Sequence, residues 1–510
     1  MSVWIGVDLG TQSVRATAVA DDGRVLGAAG RPLTSRRDGP RHEQDPEQWW
    51  RELAAATREA LRDVPPGRIG GVAVDATSGT ILLADRDGRP LTPGLMYDDR
   101  RAADQVERVN AAGAAVWEAL GYRRMQATWA LPKLLWLLRD APEGARLAHQ
   151  SDFVNRRLIG REVATDLSNA LKTGVDLIHE RWPGEVLDTL GVPAALLPAV
   201  VRPGSVLGEV CAEAAAATGI PAGTPVVAGT TDGCAAQLGA GALTPGSWNS
   251  VLGTTLVLKG VTRTLVHDPL GVVYSHKAPD GSWLPGGASS TGAGVLARDL
   301  PGRDLDALGR LAAERFGERS GGRPGGGRAP SATIYPLVSR GERFPFAAPD
   351  AEGFTLGEVD DDVDRYAAIL RGAAYVERLC FDYLDLLGAP ADGEVILTGG
   401  ATRSAYWNRL RAGVLGRPVT LRENAEPALG MALLAAVGAA ARDAGPGRTR
   451  EASREITARM VRTREVVEPG GGDLTEHYLR FVGELEDRGW LPGPAAAHAR
   501  ARSSLERTAP

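Results

Sequence analysis

Ile5-Gly6-Val7-Asp8-Leu9-Gly10-Thr11-Gln12-Ser13-Val14-Arg15-Ala16-Thr17-Ala18-Val19 is the stretch that decides how this chain is read. An apolar strand carries an acid to its tip, a Gly-Thr turn follows, and a second strand returns over 13–20. Such a turn leaves backbone N–H groups and small hydroxyls free to meet phosphate oxygens, and the acid at the tip is placed to hold Mg²⁺. The cradle is a hairpin rather than a helix start. Taken alone it is equally compatible with a structural turn, because Asp-Gly and Gly-Thr turns are common.

Outward from the hairpin, 24–28 reads as a further strand after the turn Asp21-Asp22-Gly23. Asp45-Pro46 opens an amphipathic helix to about 61. A strand over 69–75 ends on Asp75-Ala76-Thr77-Ser78-Gly79 and is expected to continue over 81–85. Strands, a helix, then a strand with a polar tip make an α/β layer. The stretch 100–200 reads as largely helical, with an aliphatic stripe in Leu131-Pro132-Lys133-Leu134-Leu135-Trp136-Leu137-Leu138 that belongs to a core.

The second half repeats the outline of the first. A strand over 225–229 ends in Thr230-Thr231-Asp232-Gly233, and a small-residue helix follows over 234–240. A strand over 247–252, the turn Gly253-Thr254-Thr255 and a strand over 256–261 form a second Gly-Thr hairpin, which points to a duplicated fold. Further on come a low-complexity loop over 317–331, a long helix over 361–387, a strand over 394–397 ending in Thr398-Gly399-Gly400, a helix over 404–415 and an Ala-rich helix over 426–440. The tail from about 492 shows no pattern and is expected to be disordered.

Composition narrows the classes. A chain of 510 residues exceeds one typical core, so two or more domains are expected. The apolar content of 43%, the charged content of 24% and a net charge of −5 with interspersed signs fit a soluble protein and argue against nucleic-acid or membrane partners. Three scattered cysteines fit a reducing, cytoplasmic setting and offer no zinc spacing. No apolar run reaches the length of a membrane span, and no signal peptide precedes the first strand. No Gly-Lys-Ser/Thr occurs. The Gly-rich run 286–294 lacks the acidic partner of a dinucleotide fingerprint and is expected to serve close packing.

Four signals remain in order: Asp8-x-Gly-Thr-x-Ser, Thr230-Thr-Asp232-Gly233, Gly253-Thr254-Thr255, and Thr398-Gly399-Gly400 before Arg403-Ser404-Ala405-Tyr406-Trp407. With these residues the chain resembles the FGGY carbohydrate kinases of the actin-like ATPase superfamily, over about 3–440. The resemblance implies two actin-like (ribonuclease H-like) α/β domains with ATP and Mg²⁺ in the cleft and closure on sugar binding. It divides the chain into an N-terminal domain over 1–245, a C-terminal domain over 246–440, a helical extension over 441–491 and the tail 492–510.

The same resemblance implies roles. Asp232 is the expected base that takes the proton of the attacking sugar hydroxyl. Asp8 is expected at Mg²⁺ through water and near the substrate. Gly10, Thr11, Gln12, Ser13, Gly253 and Thr254 are expected around the phosphates, and Gly399, Gly400 and Ser404 along the adenosine. Asp232 also has a bland reading, as the cap of the helix after it. At the sugar end Thr77 and Ser78 stand where glycerol kinases carry Arg-Glu and xylulokinases usually Met-His. This pattern, with Tyr274-Ser275-His276, resembles the D-ribulose kinases of cyanobacterial and plant type. Asp99, beside Arg101, is expected to reach the sugar or to brace the tip. The implied reaction is ATP-dependent phosphorylation of D-ribulose at its terminal hydroxyl, by a monomer or homodimer. D-xylulose and a non-catalytic ATP- or sugar-binding protein are the alternatives.

Overall fold

The computed structural model describes residues 1–316, 332–442, 445–470 and 474–508. The low-complexity segment 317–331 lies outside them. The strands in chain order are β1 (Val3–Leu9), β2 (Ser13–Ala20), β3 (Val25–Pro32), β4 (Ile69–Ala76), β5 (Ile81–Ala84), β6 (Val206–Glu209) and β7 (Pro225–Val227) in the first half. The second half has β8 (Trp248–Leu252), β9 (Leu256–Gly260), β10 (Tyr274–Lys277), β11 (Trp283–Ala288), β12 (Val395–Thr398), β13 (Val419–Arg422) and β14 (Thr463–Val467).

The first sheet runs β6-β7-β4-β1-β2-β3 and the second β10-β11-β9-β8-β12-β13-β14. Their centres match step for step. β1 pairs antiparallel with β2 and parallel with β4, which is parallel to β7. β8 pairs antiparallel with β9 and parallel with β12, which is parallel to β13. The duplication read from two Gly-Thr turns is therefore a duplication of topology, and each hairpin emerges at the same corner of its sheet.

Helices cover the faces. α1 (Pro46–Ala60) starts where expected: Asp45 caps it by accepting from Glu47 N at 3.0 Å, with Pro46 in the first turn. Its Trp49, Leu53 and Ala56 pack on Val3, Ile5, Val7 and Leu9 of one face of β1. α2 (Ala130–Leu137) and α3 (Gln150–Ile159) flank β5 and the tip of β4, while α4 (Asp232–Ala240) follows β7. In the second half the 25-residue α5 (Asp362–Leu386) forms the core helix, and α6 (Ala405–Leu415) follows β12. The last of this set, α7 (Pro427–Ala440), leaves its own half and packs on β1, β4 and α4. Gly6 permits this, since a Cβ there would stand 1.7 Å from the Ala428 carbonyl oxygen. The C-terminal half thus supplies the second cover of the N-terminal sheet.

Three expectations need correction. Residues 81–84 do not continue β4; β5 joins a separate five-stranded sheet, because the tip 77–80 turns the chain out of the first one. The segment 441–491 is not purely helical: β14 adds an antiparallel edge to β13 between helices Pro446–Met460 and Thr475–Asp487. The tail forms a helix, α8 (Gly493–Thr508), instead of being patternless. Its Ala495, Ala496 and Ala499 are buried in the core that α5 dominates. A stripe of alanines carries little hydrophobic signal in sequence, yet it favours helix and lets a helix approach closely. Among the described residues no helix is long and apolar enough to cross a membrane.

Candidate active site

The register of β1 against β4 sets the floor of the cleft. Asp8 lies opposite Asp75 across this parallel pair, at the carboxyl ends of both strands, where open α/β sheets bind ligands. Asp75 is fully buried, and the one group among the described residues within its hydrogen-bond reach is the Asp8 carboxyl, to which it donates when protonated. Burial, with the charges of Asp8 and Asp232, pushes its carboxyl well above the ordinary range. Burial and then the Asp232 charge raise Asp8 to about 6. Two buried carboxyls that meet each other with no cation between them lack positive charge, which fits a hydrated divalent cation. Among the described residues no set of three His, Cys, Asp or Glu is placed to cage a bare ion, so the fit is through water.

Asp232 is the first residue of α4, and Thr231 takes the capping position. The carboxylate is therefore not spent as the cap. Its Oδ1 accepts from Gly233 N at 2.7 Å, and no protein group among the described residues donates to Oδ2. Burial raises its proton affinity, against the pull of the Gly233 N–H and of Lys172 and Lys259. Lys172, from the turn Leu171–Thr173, donates to the Ser78 carbonyl at 3.1 Å. Burial depresses this ammonium to about 8, with Asp232 opposing and Lys259 adding to the shift.

The tip after β4 separates two neighbouring hydroxyls. Thr77 Oγ1 is held by Gln150 Oε1 at 2.7 Å and Thr80 Oγ1 at 2.6 Å, so it braces the tip. Ser78 Oγ has no partner at all. The backbone here is pinned by Lys133 of α2, whose ammonium donates to Gly79 O at 2.7 Å and Met96 O at 2.8 Å. Asp99 is also a brace. Its oxygens accept from His42 N at 2.7 Å and from the Arg101 guanidinium at 2.7 Å, and it is fully buried. Arg101 in turn reaches Glu43 at 2.7 Å and lies over the Trp136 ring. Of the expected sugar contacts on this side, Ser78 has a buried hydroxyl without a partner among the described residues, while Thr77 and Asp99 are engaged.

The two hairpins present their turns to the cleft. Gly10 N donates to Ser13 O at 3.1 Å, and Gln44 holds the Thr11 carbonyl at 2.6 Å, which leaves the Thr11 and Ser13 side chains half-exposed and Gln12 exposed. In the second turn Gly253 N donates to Thr255 O at 3.2 Å, and the start of helix Gly294–Asp299 anchors the loop through Gly294 N to Thr254 O at 3.1 Å. Thr254 is exposed, and a Cβ built on Gly253 would meet nothing within 4 Å. The Gly-rich run does serve close packing here: a Cβ on Gly292 would stand 2.2 Å from Thr254 O. At the third element, Gly399 has φ +85° and its Cβ would meet Leu252 O at 2.6 Å, so only glycine fits. Gly400 opens on free space apart from the Arg403 side chain at 3.6 Å. Ser404 caps α6, its Oγ accepting from Trp407 N at 3.2 Å.

Sequence reading missed Asp75, Lys172 and Lys259 as site residues. A second acid at a strand end, in register with Asp8, was a visible signal for Asp75. Lys259 was visible as a charge inside an otherwise apolar strand, but only the packing shows that it is buried at Asp232.

Comparison with known proteins agrees with this geometry. Residues 3–239 match the N-terminal domain model of the FGGY family of carbohydrate kinases, and residues 249–439 match its C-terminal domain model. The chain is 34% identical to a xylulose kinase of Streptomyces coelicolor over 461 residues, covering 86% of this chain and 87% of that one. It is 30% identical to a xylulose kinase of Escherichia coli, covering 86% and 90%. The crystal structure of xylulose kinase from Rhodospirillum rubrum superimposes with a TM-score of 0.80 at 27% identity, over 95% of this chain and 98% of that one. These relatives bear the name of the alternative sugar, D-xylulose, and D-ribulose finds no support among them. The chain belongs to the FGGY family of carbohydrate kinases, as an α/β sugar kinase of two actin-like domains.

Proposed function

We propose that this kinase transfers the γ-phosphoryl group of ATP to the terminal primary hydroxyl of a ketopentose, with D-xylulose as acceptor. The observation that carries the reading is Asp232: a carboxylate on the cleft floor, with one oxygen fixed by Gly233 N and the other free. In this reading Asp232 accepts the hydroxyl proton as that oxygen attacks phosphorus. Its raised proton affinity suits the role, since a base works best with a pKa near the operating pH. Phosphoryl transfer depends mostly on positioning and charge neutralisation. The turns at Gly10–Ser13 and Gly253–Thr254 supply the positioning from opposite sides, and Gly399–Gly400 gives the adenosine a flat wall with Ser404 at its end. Mg²⁺, when bound, would spread the phosphate charge; Asp8, with Asp75 behind it, would hold its water shell.

The names of the relatives favour D-xylulose. One observation favours D-ribulose instead: at the tip this chain presents the small, unpartnered Ser78 hydroxyl. A coupled assay of ADP release over D-xylulose, D-ribulose, their L forms and glycerol tests both readings. The expected result is highest kcat/KM on D-xylulose. A preference for D-ribulose moves the assignment to the second reading, turnover of glycerol alone overturns the pentulose reading, and no sugar-dependent release overturns the kinase assignment.

A further inference from the structure

Lys259 is the least explained charge in the molecule. It lies in β9, five residues beyond the exposed Thr254 of the second turn, and is 6% exposed. Its neighbours Leu256 and Leu258 face the second-half core, so strand alternation turns Lys259 to the other face, which α4 covers. Gly286, its register partner on β11, makes room for it: a Cβ there would stand 2.6 Å from Lys259 Cδ. The side chain ends beside the start of α4, with Cε 3.9 Å from where a Gly233 Cβ would be. There the ammonium has no hydrogen-bond partner, only the Tyr274 ring at 4.9 Å.

Desolvation, the helix dipole and a neighbouring ammonium oppose this arrangement. A buried ammonium with no acceptor is expensive. The N-terminus of α4 presents the positive end of a helix dipole, the wrong end for a cation. Lys259 also depresses a second ammonium, Lys172, and both lysines depress the buried His276 beside Tyr274. Asp232 is the one carboxylate among the groups that act on Lys259. If Asp232 serves the hydroxyl that reacts, the three N–H bonds of Lys259 still need an acceptor.

We propose that Lys259 is the residue by which the second domain recognises the sugar, donating to an acceptor oxygen that carries no hydrogen: the C2 carbonyl of an open-chain ketose. The ketopentose reading decides between a carbonyl and a hydroxyl. A hydroxyl at this spot would bring its own hydrogen and would have to hand it to the unpartnered Nδ1 of the neutral His276 imidazole, whereas a carbonyl meets the ammonium with no second partner. A carbonyl oxygen takes two N–H bonds and has nothing to donate. A carboxylate, as on an aldonate, shares this chemistry. The proposal rests on the ketopentose reading for its choice between the two sources.

The test compares wild type with Lys259→Met, which keeps the length and removes the charge. Each is assayed on the ketopentose, on the alditol that differs only by reduction at C2, on the matching aldonate, and for the KM of ATP. Loss of a hydrogen bond from a charged donor predicts a rise of about ten- to a hundred-fold in ketopentose KM. The alditol parameters and the ATP KM should stay within about two-fold in the same comparison. The collapse of the ketose-to-alditol ratio is a readout that a purely structural lysine would not produce. Equal loss on every acceptor at unchanged KM assigns Lys259 to the phosphoryl step and overturns the proposal; unchanged kinetics overturn it as well. A wild type that prefers the aldonate, and loses it in Lys259→Met, keeps the role of Lys259 and overturns the ketopentose reading. Should the variant not fold, calorimetry of wild type without ATP decides. Ketose bound no tighter than its alditol overturns the proposal, and a preference of tenfold or more, on the order expected for a charged hydrogen bond, supports it.

Discussion

Two groups of buried charge, one in the second-half core and one on the cleft floor, are built on opposite principles. In the core Arg411 and Glu377 are both wholly buried, and the guanidinium meets the carboxylate through two bonds of 2.7 Å. Ser250 joins them, its hydroxyl donating to Glu377 at 2.5 Å, and only Nη1 of Arg411 is left over. On the cleft floor the Ser78 hydroxyl and the Lys259 ammonium are buried with no hydrogen-bond partner among the described residues, and Asp75 meets only another acid, Asp8. The first group ties α5, α6 and β8 together through bonds that the fold itself supplies. The second lacks complementary atoms that the fold does not supply. Buried polar groups in folded proteins are nearly always paired, so the unpaired ammonium and hydroxyl beside Asp232 stand where a ligand would complete the structure.

The sharpest way to break this contrast is to remove a charge from each side. Asp232→Asn should lower kcat by about 10²–10⁴, the range for loss of a general base, while the melting temperature does not fall. Turnover within a few-fold of wild type would remove Asp232 from the chemistry. Glu377→Ala should do the reverse. Leaving Arg411 buried and alone costs about 3–5 kcal/mol in denaturant unfolding, with the sugar KM of the folded fraction unchanged. A cost under about 1 kcal/mol would mean that the pair is replaceable, as only some buried pairs are.

Next in size, Asp75→Asn should raise the melting temperature above neutral pH, because a buried carboxylate that meets only another acid is replaced by a neutral group; the gain is about 1–3 kcal/mol. The same variant should bind Mn²⁺ more weakly by spin resonance, and unaltered binding would detach Asp75 from the metal. The pH dependence follows from Asp8, held at about 6 against an ordinary 3.8. The native state keeps a proton that the unfolded state loses, so this group's contribution to stability falls as pH rises from about 4 to 6 and stays low above it. Activity has the opposite sign: kcat/KM should climb as pH rises through about 6, when the Asp8 carboxylate forms. A flat profile from pH 5 to 7 would contradict it. The smallest effect separates the two hydroxyls of the tip. Thr77→Val should cost about 1–3 kcal/mol of stability, as the loss of two hydrogen bonds does, while Ser78→Ala should change only the sugar KM. Equal effects would erase the distinction drawn between them.

Much of this molecule was legible as text. The two Gly-Thr hairpins, the caps of α1 and α6 and the strand-end glycines are local features, fixed by turn chemistry and by side-chain alternation within a few residues. They located Asp8, Asp232, Gly253 and Gly399 and the duplicated topology with them. The readings that failed depended on distant partners. Thr77 looks like Ser78 in sequence, yet Gln150, 73 positions away, claims one hydroxyl and leaves the other. Asp99 was open to two readings, a sugar contact or a brace, and the fold brings His42 and Arg101 to it. The alanines of α8 gain meaning only against α5.

By itself the sequence determined the architecture, two repeated α/β units with a nucleotide cleft, because period and turn residues act over short spans of chain. Only the tertiary structure decided which polar groups are spent and which are free, since hydrogen bonds between residues tens to hundreds of positions apart exist only after folding. That separation turned Thr77 and Asp99 into braces and brought Asp75 and Lys259 to the cleft floor.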